Sequence, residues 1–271
     1  MSTIVQAPSD DRRRAYADRM AQLVERARTS HEAFAALVMK DNRNLPIDLE
    51  PFHLLIIRFI RYCWSRQLYA GILAPWRHGK SLAGTDLFSL VEIGRNPNVR
   101  IRLIAGHDHE AVKRVSSIRR HLVSQEYRWV YPEIRPAKLS EFSMRSLFVE
   151  RSAPGPDPTL SAAGVFSGEA GGGYDVLMFD DVATHQNMIL KPALRPRVYE
   201  TLTSVWLRRV DPSTRVLWVG TVWHADDPSH MFRADTSGQW LWLIIRINRE
   251  RDGLDVSTEP SRVMSVLGTE K

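Results

Sequence analysis

The stretch that most constrains this chain begins with an apolar run, Leu68-Tyr69-Ala70-Gly71-Ile72-Leu73. It passes through Ala74-Pro75-Trp76-Arg77-His78-Gly79-Lys80-Ser81 and enters a segment in which Leu87, Leu90 and Val91 recur at helical spacing. That order reads as a strand, a tight loop and a helix. Loops of this kind hold phosphate, because their backbone N–H groups and the positive end of the following helix converge on an anion. In the Gly-Lys-Ser ending each residue has its own part: Gly79 lets the backbone approach closely, Lys80 reaches β- and γ-phosphates, and the Ser81 hydroxyl ligates Mg²⁺. Pro75, Trp76, Arg77 and His78 form the body of the loop around the phosphates. Arg77 has two open uses, holding the γ-phosphate or pointing outward to a neighbour. The full pattern carries glycine at its first position, where this chain has Ala74. A Gly-Lys-Ser at a helix start also arises by chance, so the reading needs support from elsewhere.

A second stretch supplies it. Tyr174-Asp175-Val176-Leu177-Met178-Phe179-Asp180-Asp181 is an unbroken apolar run followed by two carboxylates. A strand buried on both faces reads this way, and the carboxyl edge of an open parallel sheet is where ligands sit. Asp180 would hold Mg²⁺ through water and Asp181 would orient or deprotonate an attacking water. The bland alternative is a strand ending in a solvated Asp-Asp turn. A third stretch, Arg215-Val216-Leu217-Trp218-Val219-Gly220-Thr221-Val222-Trp223-His224-Ala225-Asp226-Asp227, again delivers polar residues, Thr221 and His224, at the end of an apolar strand.

Taken in order, Ala-Pro-x-x-His-Gly-Lys-Ser, apolar-Asp-Asp and Gly-Thr-x-Trp-His-x-Asp-Asp resemble the ATPase domain of large terminase subunits, the DNA-packaging motors of tailed bacteriophages. Pro51-Phe52-His53, the Pro158 to Gly164 stretch and the Arg195 to Arg209 stretch agree in position, so the resemblance spans about residues 30 to 245. It implies ATP and Mg²⁺ as cofactors, with catalytic roles for Lys80, Asp180, Asp181 and Thr221. The last would couple hydrolysis to DNA movement. It places His224 and His53 or Phe52 near the nucleotide, although a packed histidine at a helix start explains His53 as well. The implied partners are double-stranded DNA, a portal protein, a small terminase subunit and further copies of the chain in a ring, with a monomer in dilute solution. The implied location is the cytoplasm of a bacterial host.

The same resemblance implies an arginine that completes a neighbouring subunit's site. Where many terminases carry it this chain has Glu169, and Arg119, Arg120, Arg145 and Arg151 are the other candidates. A second class of function is a nucleotide-binding assembly module without turnover. Ala74, the short Asp181 where a glutamate is common, and the lack of a nuclease domain in the sequence point that way. A two-lobed helicase would need a second motor lobe, which the sequence does not contain.

The expected fold is a three-layer α/β domain with a mostly parallel central sheet, of the P-loop (ASCE) type in which an extra strand separates the phosphate loop from the acidic strand. An N-terminal helical extension would occupy residues 1–47, the ATPase domain 48–247, and a tail or a linker toward an absent nuclease domain 248–271. A chain of 271 residues with 44% hydrophobic content suits one such domain plus an extension. Its 37 Lys+Arg against 31 Asp+Glu give +6 and a pI near 9.7, which favours a polyanionic partner. The single cysteine, Cys63, forms no intramolecular disulfide and fits a reducing compartment. No signal peptide or membrane-spanning run is recognisable.

Residues 9 to 41 read as helix interrupted at Ser30, with Arg12, Arg13 and Arg14 either touching DNA or a neighbour or forming a solvated face. Asn42 to Leu49 is a polar break, and Pro51 to Trp64 a mostly buried helix. A strand over Ile101 to Ala105 precedes a helix that Asp108 would cap. On that helix Lys113, Arg114, Arg119, Arg120 and His121 form the densest basic face of the chain, read as a solvated face or as one that lines DNA or bridges subunits. The Pro/Gly-rich residues 150 to 173 read as a loop with a short strand near Ala163 to Phe166 and a turn at Gly171-Gly172-Gly173. A helix follows from Pro192 to Arg209, then a short one from Asp226-Asp227-Pro228 through Phe232 and a last apolar strand, Trp240 to Ile245. Beyond Arg246 no periodic segment is expected.

Overall fold

Apolar runs become the strands of one eight-stranded sheet in this computed structural model, which describes residues 10–41, 43–137, 143–153, 155–168, 172–248 and 253–259. The strands are β1 (Tyr69–Leu73), β2 (Ile101–Ala105), β3 (Ser146–Leu147), β4 (Leu160–Gly164), β5 (Val176–Asp180), β6 (Arg215–Gly220), β7 (Trp240–Asn248) and β8 (Gly253–Glu259). Their order across the sheet is β3-β4-β2-β5-β6-β1-β7-β8. From β4 to β7 every pairing is parallel, while β3 and β8 join antiparallel at the two edges. Registers align Leu73 with Gly220, Asp180 with Val219 and Ala105 with Asp180. The chain therefore leaves β1, β2, β5 and β6 at a common carboxyl edge.

Both faces of the sheet are covered, which is why its central strands read as continuous apolar runs. Val176 and Met178 of β5 pack into one core, Leu177 and Phe179 into the other. On the first face lie α2 (His31–Val38), α3 (Pro51–Trp64), α4 (Leu87–Arg95), α5 (Asp108–Leu122) and α6 (Gln125–Val130). On the second lie α7 (Arg195–Thr201) and α8 (Pro228–Arg233). The preceding helix, α1 (Asp10–Thr29), is exposed over most of its length, Arg12 and Arg14 included; the Arg13 side chain lies outside the described residues. Ser30 separates α1 from α2 by capping the latter, its hydroxyl accepting from Ala33 N at 3.1 Å. Phe34, Ala35 and Val38 then bury themselves in the main core, so α2 is packed into the domain it precedes. Cys63 is buried there too, and burial raises its pKa. No helix among the described residues is long and apolar enough to cross a membrane.

Several expectations are corrected. Asp108 sits inside the first turn of α5 rather than capping it: its Oδ1 accepts from Gly164 N at 2.8 Å and its Oδ2 pairs with Arg145. The strand before the acidic one ends at Gly164, short of Phe166. The Pro192–Arg209 helix is segmented into α7, a π-turn at Leu202–Trp206 and flanking 3₁₀ turns. Beyond Arg246 regular structure continues among the described residues. β7 runs on to Asn248, and β8 pairs with it inside the stretch read as a tail; Leu254 and Val256 reach the core on alternate positions. Asn42, Pro154, Glu169, Gly171 and residues 260–271 lie outside the described residues.

On the basic face of α5, Lys113 and Arg120 are exposed, as a solvated face requires, while the other side chains are tied down. His121 is buried, its Nε2 accepting from Lys40 N and its Nδ1 donating to Ser117 O, while Arg120 and Arg119 donate to the carbonyls of Lys40 and Ser143. Lys113 pairs with Glu110 on its own helix. Arg114 turns inward, to the site described next.

Candidate active site

β1 hands the chain to a loop whose path depends on two residues in the left-handed region, Arg77 (φ 64°) and Gly79 (φ 65°). Gly79 is required twice over, since a Cβ there would also lie 2.7 Å from His53 Nε2. His53 stands beneath the loop at the start of α3. Its Nδ1 accepts from Glu50 N at 3.1 Å, so Nε2 carries the hydrogen and donates to His78 O at 3.0 Å. Burial lowers the pKa of this ring, against the opposing pull of the His78 carbonyl, and keeps it neutral for that role. His53 is packed in this way, with Phe52 against the His53 and His78 rings.

Ala74 occupies the position where the pattern has glycine, and its φ is not positive, so a Cβ is tolerated. Its N–H donates to Gly220 O at 3.0 Å, and its carbonyl accepts the Thr221 hydroxyl at 3.0 Å. The end of β6 and the start of the loop thus form one unit. Pro75 and Thr221 line a different groove together with Ile244. Trp76 is 61% exposed, Arg77 lies over its ring at 4.4 Å, and the His78 ring bonds to Trp76 O.

A helix starts directly after Gly79, whose carbonyl receives Ala83 N–H at 3.0 Å. Lys80 and Ser81 therefore occupy its first turn, where N–H groups have no partners within the helix. A π-turn, Leu82–Asp86, separates this turn from α4 and swings Thr85 and Asp86 into the interior. Asp180, the last residue of β5, is buried; its Oδ1 accepts from Thr85 Oγ1 at 3.3 Å and its Oδ2 faces Arg114 Nε at 3.5 Å. Asp181 leaves the sheet with φ 45°, a conformation aspartate tolerates. Its N–H donates to Val219 O, and its Oδ2 meets Lys80 Nζ at 3.1 Å. Lys80 is only 4% exposed. Burial, and then the charge of Asp180, push the Asp181 carboxyl up to about 6 while Lys80 pulls it down.

Ser81, Asp180, Asp181, Arg114, Trp76 and Trp223 line one cleft of about 360 Å³ at the carboxyl edge of the sheet. The structure thus brings Ser81 and the two carboxylates together with Lys80 behind them. His53 and Thr221 support the loop from outside the cleft, and His224 does not line it: its Nδ1 accepts from Asp226 N, and its neighbour Trp223 takes the wall. Among the described residues no group of three or more His, Cys, Asp or Glu is arranged to hold a metal ion alone. Magnesium is ordinarily held by one or two carboxylates together with water and substrate phosphate. Ser81 and Asp180, which both line the cleft, fit that habit, and so does Asp181 Oδ1, a buried acceptor with no hydrogen-bond partner.

Sequence reasoning missed Arg114 and Asp86. The signal was there, since Asp86 sits in a mostly apolar helical segment, and a carboxylate buried with it needs a cation. The four arginines expected to serve a neighbouring site are each engaged within the chain: Arg119 and Arg120 on carbonyls, Arg145 on Asp108, and Arg151 on Asp157 O and Thr159. Neither a family model nor a curated protein matches the chain.

Proposed function

We propose that this protein is a Mg²⁺-dependent ATPase with a P-loop (ASCE-type) core, the motor domain of a viral terminase that drives double-stranded DNA into a procapsid. The observation that carries the ATPase reading is the convergence, at one sheet edge, of a Gly-Lys-Ser helix start with Asp180 and Asp181, Lys80 being ion-paired to Asp181 from behind the cleft. The position of β6 between β1 and β5 supports it, because that is the inserted strand of this ATPase type. Support for the DNA-motor part comes from the order of the three motifs and from the net charge of +6. Portal protein, small terminase subunit and a ring of copies enter as partners on the same ground.

The loop and the first helical turn present N–H groups to the phosphates. An arriving γ-phosphate competes with Asp181 for Lys80. As Lys80 transfers to phosphate, Asp181 loses its cation, becomes a stronger base and is free to orient the attacking water. Mg²⁺, held by Ser81 and Asp180, would neutralise charge on the phosphate oxygens. Thr221, bonded to Ala74 O, links the loop to the end of β6, so a shift of the loop is felt there.

Because the folded-state carboxyl of Asp181 is raised to about 6, it is protonated below that pH and cannot act as a base. The profile of kcat/KM, which reports the free enzyme, is expected to fall as pH drops through about 6 and to flatten above it. A profile flat down to pH 4 would remove Asp181 from proton transfer. The function itself is tested by steady-state ATP hydrolysis with and without duplex DNA, where the expected result is Mg²⁺-dependent turnover that DNA stimulates. Tight nucleotide binding without hydrolysis in either condition would favour the assembly-module class instead.

A further inference from the structure

The Asp180 carboxylate is gripped from two sides by groups that the phosphate-loop motif does not include. Thr85 Oγ1 donates to Oδ1, and Arg114 Nε lies 3.5 Å from Oδ2. Arg114 is itself held from behind: its Nη1 reaches both oxygens of Asp86, at 3.3 and 3.4 Å, and Ser117 Oγ fixes the same carboxylate at 2.6 Å. Asp86 is fully buried. Thr85 and Asp86 are consecutive residues of the π-turn, a local widening that recurs at functional sites. One turn thus sends a hydroxyl to Asp180 and a carboxylate to the arginine that flanks it.

A buried ion pair is a poor device for stability, since similarly sized apolar residues commonly do as well or better. What this pair does provide is orientation. The planar guanidinium spans Asp86 and Asp180, so the acidic strand is tied to both the phosphate-loop helix and α5. We propose that Arg114, braced by Asp86, is a positioning residue that presets the Asp180 carboxylate for the metal of a Mg·nucleotide complex. The proposal rests on the ATPase reading above. The chemistry is one of geometry: a carboxylate whose rotamer is fixed before the metal arrives loses less freedom on coordinating it.

Removing only one partner would strand a buried charge and endanger folding. The test therefore uses Asp86→Leu/Arg114→Met, which deletes the Asp86–Arg114 pair together and leaves Asp180 its Thr85 hydrogen bond and its place on the cleft, alongside Arg114→Lys, which keeps the charge and loses the fork. Three quantities are measured on the whole chain: thermal midpoint, affinity for a fluorescent ADP without divalent metal, and Mn²⁺ affinity of the ADP-bound protein by electron paramagnetic resonance. The expected result is a folded double variant with metal-free ADP affinity within about twofold of the parent and Mn²⁺ affinity lowered about tenfold or more. Arg114→Lys should fall between the two. A folded double variant, or failing that a folded Arg114→Lys, that binds Mn²⁺ as the parent does would overturn the positioning role and leave the ATPase reading standing. A parent protein that binds no ADP would overturn both.

Discussion

If the protein is the ATPase proposed, Lys80→Ala is expected to abolish ATP turnover and to weaken nucleotide binding. On the ATPase reading the deletion removes the cation that cradles the β- and γ-phosphates in the loop. Single-turnover hydrolysis of radiolabelled ATP checks this, with circular dichroism to confirm the fold. Wild-type turnover in Lys80→Ala would sink the phosphate-loop assignment.

The paired carboxylates are expected to separate metal binding from chemistry. Asp180→Asn should lose Mg²⁺-dependent nucleotide binding, because it removes the buried carboxylate that lines the cleft with Ser81. Asp181→Asn should still bind Mg·ATP and hydrolyse it more slowly by a factor on the order of 10² or more. Asparagine there cannot accept a proton, although it still fills the same space opposite Lys80. Titration with fluorescent ATP analogues and single-turnover rates distinguish the two. Equal and mild losses at both positions would favour a solvated Asp-Asp turn, a reading that the burial of Asp180 and the pairing of Asp181 already disfavour.

The strands that frame the cleft are legible in the sequence because β1, β5 and β6 are buried on both faces and therefore read as apolar runs, with their polar residues falling at one sheet edge. Lys80, Ser81, Asp180 and Asp181 can be placed from that rule alone. The role of Arg114 cannot. Helical spacing puts it at the border of the Ala111, Val115 and Ile118 stripe, and only the tertiary approach of the π-turn decides that it faces inward. His53 is ambiguous for a related reason. A helix-start histidine near a phosphate loop looks like a base contact, whereas its two hydrogen bonds spend both ring nitrogens on backbone. β8 is hard to see because its alternation, Leu254 and Val256, is short and polar between, the pattern of an edge strand with one wet face.

The central claim is that residues 74–81, Asp180 and Asp181 form one nucleotide site, and a crystal structure with Mg²⁺, ADP and beryllium fluoride tests it most directly. The predicted result places the fluoride group, standing for the γ-phosphate, against the Lys80 ammonium, with Lys80 withdrawn from Asp181 and the phosphates along the loop. A nucleotide bound elsewhere, or absent from saturated crystals with the Lys80–Asp181 pair intact, would contradict the account.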